Sequence, residues 1–313
     1  MTVTDSGVQK KRRYKLESYQ YFLFILPVIL FIAIFKYKPL LGWYYAFTNY
    51  KVGYKPSQIR WDGLRSFSYM FMNQEYLKQV LQVLMNTLAM AFMSIFLGSP
   101  LTVVFAVFLN EMNSKRTRKV VQTLTTLPHF ISFVTLYAVV YFMLYRTGPV
   151  NSLLVSLGLT DTPIEFITTP NHTYLKMWLY GVWKNIGWNA IVYLAAIAGI
   201  DQELYEAAMI DGAGRLQRIV HVTVPGVLPT FFVLLVMSIG NLLNTGYEMQ
   251  YVFQNAMNKR FIETIDLYVF NQGIGNANIP SATAVGMLKS IVAVMLFASA
   301  NTLSKFVRET SVF

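Results

Sequence analysis

Polar side chains set into apolar runs are the residues of this sequence best placed to do chemistry. Lys184, Asn185, Trp188 and Asn189 fall within six residues of one such run. At helical spacing Asn185, Trp188 and Asn189 share a face, because positions i, i+3 and i+4 are neighbours on a helix. Asn241, Asn244, Tyr247 and Glu248 line one side of a later run and its outer end in the same way. Amides hydrogen-bond polar groups and indole or phenol rings stack on flat apolar faces, so both clusters suit a path for a polar solute. Asparagines also join helices to one another, and Trp and Tyr anchor membrane interfaces. The sequence leaves both readings open. Lys184 and Glu248 are candidates for an ion pair across such a path.

Catalytic constellations are missing. The chain has no Cys, and therefore no disulfide, thiolate metal site or cysteine nucleophile. His129, His172 and His221 lie in separate segments, and neither a paired-histidine zinc motif nor a nucleophile elbow occurs. His129, after Leu127-Pro128, reads as a packed or interfacial residue rather than a ligand. The glycine-rich phosphate loop is absent, and Gly286-Met287-Leu288-Lys289-Ser290 is a poor imitation inside an apolar run. No catalytic, metal or nucleotide site is expected on this chain, and it is not expected to be an enzyme.

The elements that must position these residues follow from composition. Of 313 residues, 55% are hydrophobic and 13% charged, with a mean hydropathy of +0.43. An ordinary soluble domain is about 25% charged. The balance excludes a disordered chain, a coiled coil and a secreted disulfide scaffold, and it argues against a soluble enzyme. The remaining solvent is a bilayer, whose hydrocarbon core of about 30 Å takes roughly 20 apolar residues of helix. Six stretches qualify: residues 19–35, 80–109, 124–144, 174–199, 228–243 and 283–306.

The net charge of +11 sets orientation rather than pointing to nucleic acid. With the N-terminus in the cytoplasm, cytoplasmic segments hold 13 of the 26 basic residues against nine in the longer outer loops. The dense clusters at 10–15 and 115–119 both fall inside. Lys36-Tyr37-Lys38-Pro39 lacks the small residues of a signal cleavage site, so the first span is expected to remain. The expected protein is all-α and integral to the membrane. It has a basic cytoplasmic tail over 1–18, one six-span domain over 19–306 and a cytoplasmic tail over 307–313.

Between the fourth and fifth spans lies a cytoplasmic stretch unlike the rest. Four of the 15 acids, Asp201, Glu203, Glu206 and Asp211, sit in its first eleven residues. Asp201 is placed to cap a short helix, with Glu203 and Glu206 near its positive end. Asp211-Gly212-Ala213-Gly214 breaks that helix. A second runs from about Arg215 to Val222, and Pro225 and Pro229 are expected to end it. Two short helices about a glycine break form a compact knob, and small alanines let a partner approach closely. The alternative is an amphipathic loop lying at the membrane interface.

Glu206-Ala207-Ala208, then Asp211-Gly212-Ala213, then Pro225 resembles the EAA motif of ABC importer permeases. That family commonly ends the motif with Ile-x-Leu-Pro, where this chain has Val222-Thr223-Val224-Pro225. Residues 42–50, Asn86-Thr87-Leu88, 126–132, 148–154 and 182–208 are similar to the carbohydrate-import branch, in particular to permeases of the polygalacturonan and aldouronate type. The resemblance implies the type I ABC importer fold. It implies that Glu206, Ala207, Ala208, Asp211, Gly212, Ala213 and Pro225 belong to a coupling segment, 201–225, seated in a cleft of a cytoplasmic ATPase. It further implies a bacterial cell membrane, a second homologous permease forming a heterodimer and two ATPase subunits that hold ATP and Mg. An extracellular lipoprotein would deliver an oligosaccharide. No cofactor on this chain and no nucleic-acid partner are implied. The alternatives are an importer of a non-sugar solute, or an ion-coupled secondary transporter, which needs a buried carboxylate that the spans lack unless Glu248 lies deep. A membrane-embedded enzyme would need a His or acid cluster at one depth, and none is present.

Overall fold

A computed structural model describes residues 6–308; residues 1–5 and 309–313 of the two expected tails lie outside the described residues. The helices are α1 (Ser6–Ile32), α2 (Arg65–Met72), α3 (Gln74–Phe92), α4 (Ser99–Asn110), α5 (Lys115–Thr126), α6 (Phe133–Leu144), α7 (Pro149–Ser156) and α8 (Thr173–Ala198). They continue with α9 (Gln202–Ile210), α10 (Arg215–Arg218), α11 (Val224–Gly240), α12 (Glu248–Phe253), α13 (Lys259–Ile262), α14 (Ile265–Phe270) and α15 (Ile279–Arg308). Among the described residues the β pairing amounts to one isolated bridge, Thr48 to Trp61. The expected all-helical class is observed.

Among the described residues, five stretches are long and apolar enough to cross a membrane: Tyr19–Phe47, Gln74–Asn110, Phe133–Ser156, Arg215–Gly240 and Ile279–Ser299. Helix α8 has 26 residues, about 39 Å at 1.5 Å per residue. Lys176, Lys184, Asn185 and Asn189 keep its hydropathy below that of the other five.

At two boundaries proline chemistry explains a departure from the sequence expectation. Residues 124–144 are not one helix. Pro128 has no N–H to return to the carbonyl of Leu124. The chain tightens into a 3-10 turn at Leu127–Phe130, and Ile131 is extended. Ser132 then restarts a helix by accepting from the Thr135 N–H. Conversely, Pro225 and Pro229 do not end the helix after the knob. A wide π-turn at Ile219–Thr223 runs directly into α11, with Pro225 in its first turn and Pro229 inside it. The same device recurs at Met93–Gly98 before Pro100 and at Ala33–Tyr37 before Pro39. A π-turn makes room for the pyrrolidine ring and for the carbonyl it displaces, so a helix passes a proline without breaking.

Helix α8 is the mast of the molecule. Ala190, Tyr193 and Ile197 toward its C-terminal end pack with Ala106 and Leu109 of α4 and Val227 of α11. Met177 near its N-terminal end packs with Met90 of α3, Leu136 and Val140 of α6, and Phe253 of α12. Gly187 presses on the backbone of Thr125 and Thr126, where a Cβ would collide with main-chain atoms. A third cluster joins Met70, Val83, Ile265, Tyr268 and Val285, from α2, α3, α14 and α15. Asn86 is fully buried. Its amide donates to the carbonyls of Arg260 and Glu263, and its oxygen accepts from Gln82 and Tyr174, which ties α3 to α8 and the 259–265 segment.

Candidate functional site

The knob between α8 and α11 is built from local rules. Asp201 caps α9, its carboxylate accepting from the Glu203 N–H at 3.0 Å. Gly212 ends α9 at φ +78°, the left-handed region that favours glycine. The Gly212 N–H donates to the Met209 carbonyl and the Ala213 N–H to that of Ala208, the paired bonds of a Schellman cap. The Ala208, Gly212 and Ala213 positions therefore specify a sharp helix stop. Gly214 then opens α10, its N–H donating to the Gln217 side chain at 2.7 Å.

Three contacts make this knob rigid with respect to the long helices. The Tyr205 and Thr223 hydroxyls meet at 3.0 Å and join its two arms. Arg215 donates to the Glu111 carboxylate at 2.6 Å and to the Glu111 carbonyl, fixing the knob to the end of α4. Gly226 packs against Ile200, where a Cβ would strike the isoleucine side chain, so the two roots of the knob touch. Its outer surface combines exposed acids Glu206 and Asp211 with Ala207, and with Ile210 and Leu216 at 87% and 72% exposure.

On α8 the polar cluster gains a member that its sequence position conceals. His129, from the broken turn before α6, stacks on Trp188 with ring centroids 4.5 Å apart and planes 1° apart. The His129 Nδ1 lies 2.9 Å from the Asn185 Oδ1, while the Asn185 amide donates to the Gly181 carbonyl. With its oxygen thus facing the imidazole, Asn185 accepts, and His129 carries its proton on Nδ1. Trp188 and Asn189 remain exposed. Nothing in the sequence marks a contact across 56 positions. The expected ion pair between Lys184 and Glu248 does not form. Lys184 is buried and donates to the carbonyls of Pro128, His129 and Ile131. It caps the broken turn, sharing the Pro128 carbonyl with the Ile131 N–H and serving those of His129 and Ile131.

The residues expected along one side of the fifth span separate. α11 stops at Gly240, so Asn241, Asn244 and Tyr247 lie in the following loop, and Glu248 begins α12, exposed. Asn244 and Tyr247 line a cavity of about 780 Å³ together with Trp43, Asp266 and Phe270; Asn241 and Glu248 do not. Tyr247 stacks on Phe270 at 4.4 Å. Asp266 accepts from the Gly246 N–H at 2.9 Å and pairs with Lys289 of α15. Among the described residues, no hydrogen bond, ion pair or ring contact joins this cavity to the Trp188 cluster. No group of His, Asp and Glu among the described residues is arranged to hold a metal.

Residues 98–309 match the family described as binding-protein-dependent transport system inner membrane component. The chain is 35% identical over 287 residues to protein LplB of Bacillus subtilis (strain 168), covering 91% of this chain and 88% of that protein. It is 33% identical over 307 residues to the polygalacturonan/rhamnogalacturonan transport system permease protein YteP of the same strain, covering 97% and 94%. A chain in the crystal structure of a bacterial alginate ABC transporter, in complex with an alginate pentasaccharide-bound periplasmic protein, superposes with a TM-score of 0.84 at 32% identity, covering 96% of this chain and 99% of that one. By sequence across most of its length and by fold, the chain belongs to the binding-protein-dependent transport system inner membrane components, the permease family of ABC importers.

Proposed function

We propose that this chain is one permease subunit of an ATP-driven, binding-protein-dependent importer of oligosaccharides. The observation that carries the reading is the knob over 201–225: an apolar-tipped, acid-flanked projection strapped to the long helices by Tyr205–Thr223 and Arg215–Glu111. A projection that stiff transmits a push from a cytoplasmic partner instead of absorbing it. The relatives' sugar and polysaccharide names support the substrate class.

In this reading 19–306 forms one permease domain of six spans, with α8 as the fourth. The segments 1–18 and 307–313 are cytoplasmic tails. The length of α8 supports the count, and its polar residues suit a helix that faces a path rather than lipid. Glu206, Ala207, Ala208, Asp211, Gly212, Ala213 and Pro225 form or brace the coupling surface for two ATPase subunits, which hold the ATP and Mg. A second homologous permease supplies the other half of the path, and a binding protein docks on the outer loops. Asn185, Trp188, Asn189 and the newly grouped His129 contact sugar within the bilayer, and Asn241, Asn244, Tyr247 and Glu248 stand toward its outer mouth. An ion-coupled transporter would want a deep free carboxylate. Glu248 is exposed, and Asp266 is partnered by Lys289.

The test is transport and ATP hydrolysis measured together in vesicles holding the complete transporter. Glu206→Lys and Gly212→Arg are expected to abolish uptake while the membrane domain still folds. A Cβ on Gly212 meets open space, so Gly212→Ala meets backbone strain alone, about 1 kcal/mol, and is expected to retain coupling. Normal uptake by Glu206→Lys and Gly212→Arg would refute the docking role.

A further inference from the structure

We infer that the cavity at the outer end of α11 holds an uncharged pyranose unit, and that the Asp266–Lys289 pair sets this charge preference. The inference rests on the importer reading and adds a substrate class to it. The volume of about 780 Å³ falls in the range of small-molecule sites, roughly 300–1,000 Å³. Trp43 and Tyr247 supply aromatic surface for the apolar face of a sugar ring, and the stack of Tyr247 on Phe270 fixes one of these platforms. Asn244 offers both an amide donor and a carbonyl acceptor at the same wall.

Asp266 is the one charged residue in the lining, and its position is held from two sides. One oxygen accepts from the Gly246 N–H and the other faces the Lys289 ammonium. A carboxylate has about four acceptor sites, so two remain for sugar hydroxyls. The pair is largely withdrawn from solvent, with side-chain exposures of 14% for Lys289 and 19% for Asp266. Lys289 is not itself in the lining, and no other Lys or Arg is. A uronate carboxylate entering here finds no free cation and meets the like charge of Asp266. Repulsion between like charges in a partly desolvated site is the stronger effect, because water no longer screens it. An uncharged sugar meets acceptors and aromatic faces with no such cost.

The purified complete transporter, without added binding protein, is to be dialysed to equilibrium against radiolabelled 1,4-linked galactotriose or trigalacturonate. The wild type is expected to bind the neutral trisaccharide about tenfold or more tightly over the acidic one. Asp266→Asn frees the Lys289 ammonium and is expected to erase or reverse that ratio. The double change Asp266→Asn with Lys289→Met removes both charges and is expected to abolish the preference without reversing it. Trp43→Ala, which leaves the charges alone, is expected to weaken both sugars and keep the ratio. Absence of galactotriose binding by the wild type, a wild-type preference for trigalacturonate, or an unchanged ratio in Asp266→Asn overturns the inference. A transporter that still imports an oligosaccharide in that event leaves the importer reading standing. Loss of all saccharide transport overturns both.

Discussion

Lys184 shows how far a single residue can depart from its sequence context. Its charge suggested a partner of opposite sign, yet three backbone carbonyls satisfy it. Hydrogen bonds to a charged group contribute about 1.5–3 kcal/mol each, enough together to offset the several kcal/mol that desolvating an ammonium costs. Lys184→Met removes the donor and leaves the His129 and Ile131 carbonyls of the 126–132 turn without it, the Pro128 carbonyl keeping the Ile131 N–H. We predict a destabilisation of about 2–5 kcal/mol, read as a fall in the melting temperature of the detergent-purified complex. An unchanged melting temperature would contradict this. Trp188→Ala and Asn189→Ala are predicted to lower oligosaccharide uptake severalfold without releasing ATP hydrolysis, since both side chains are exposed on α8, outside the knob. Unchanged uptake by both would return the cluster to helix packing. The i, i+3, i+4 spacing of Asn185, Trp188 and Asn189 was legible in sequence. The stacking of His129 on Trp188 was not, because it depends on where Pro128 breaks the chain.

At the scale of elements, local chemistry was readable and helix continuation was not. The Asp201 cap and the Gly212 stop follow from residue type and spacing and are present. The expected helix end at Pro225 is absent because a π-turn absorbs the ring, a choice made by tertiary packing rather than by the residues nearby. The continuous run of Arg215–Gly240 makes one lever of the second arm of the knob and α11. Arg215 fixes that lever to α4 through Glu111, with side-chain exposures of 54% and 24%. An ion pair this accessible contributes under about 1 kcal/mol to stability. Arg215→Ala is therefore predicted to leave folding nearly unchanged while raising the ATP hydrolysed per sugar imported. An unchanged ratio of hydrolysis to uptake would show that the strap carries no force.

The whole chain exposes 21,165 Å², whereas a compact soluble monomer of its mass exposes about 13,000 Å². The excess is concentrated in apolar faces: the most apolar part of Tyr19–Phe47 is 0% buried within the chain. Such a molecule is completed by lipid, which the composition indicated from the start. What composition withheld is which exposed surface meets which partner. In the account given above, the tip of the knob meets an ATPase, and Ile210, at 87% exposure, marks that tip. A photo-crosslinking amino acid at position 210, activated in the intact, transporting complex, tests this most directly. The account predicts a crosslink to the ATPase subunit that Gly212→Arg abolishes. Crosslinks confined to lipid or to the companion permease, in a complex that still transports, would contradict it.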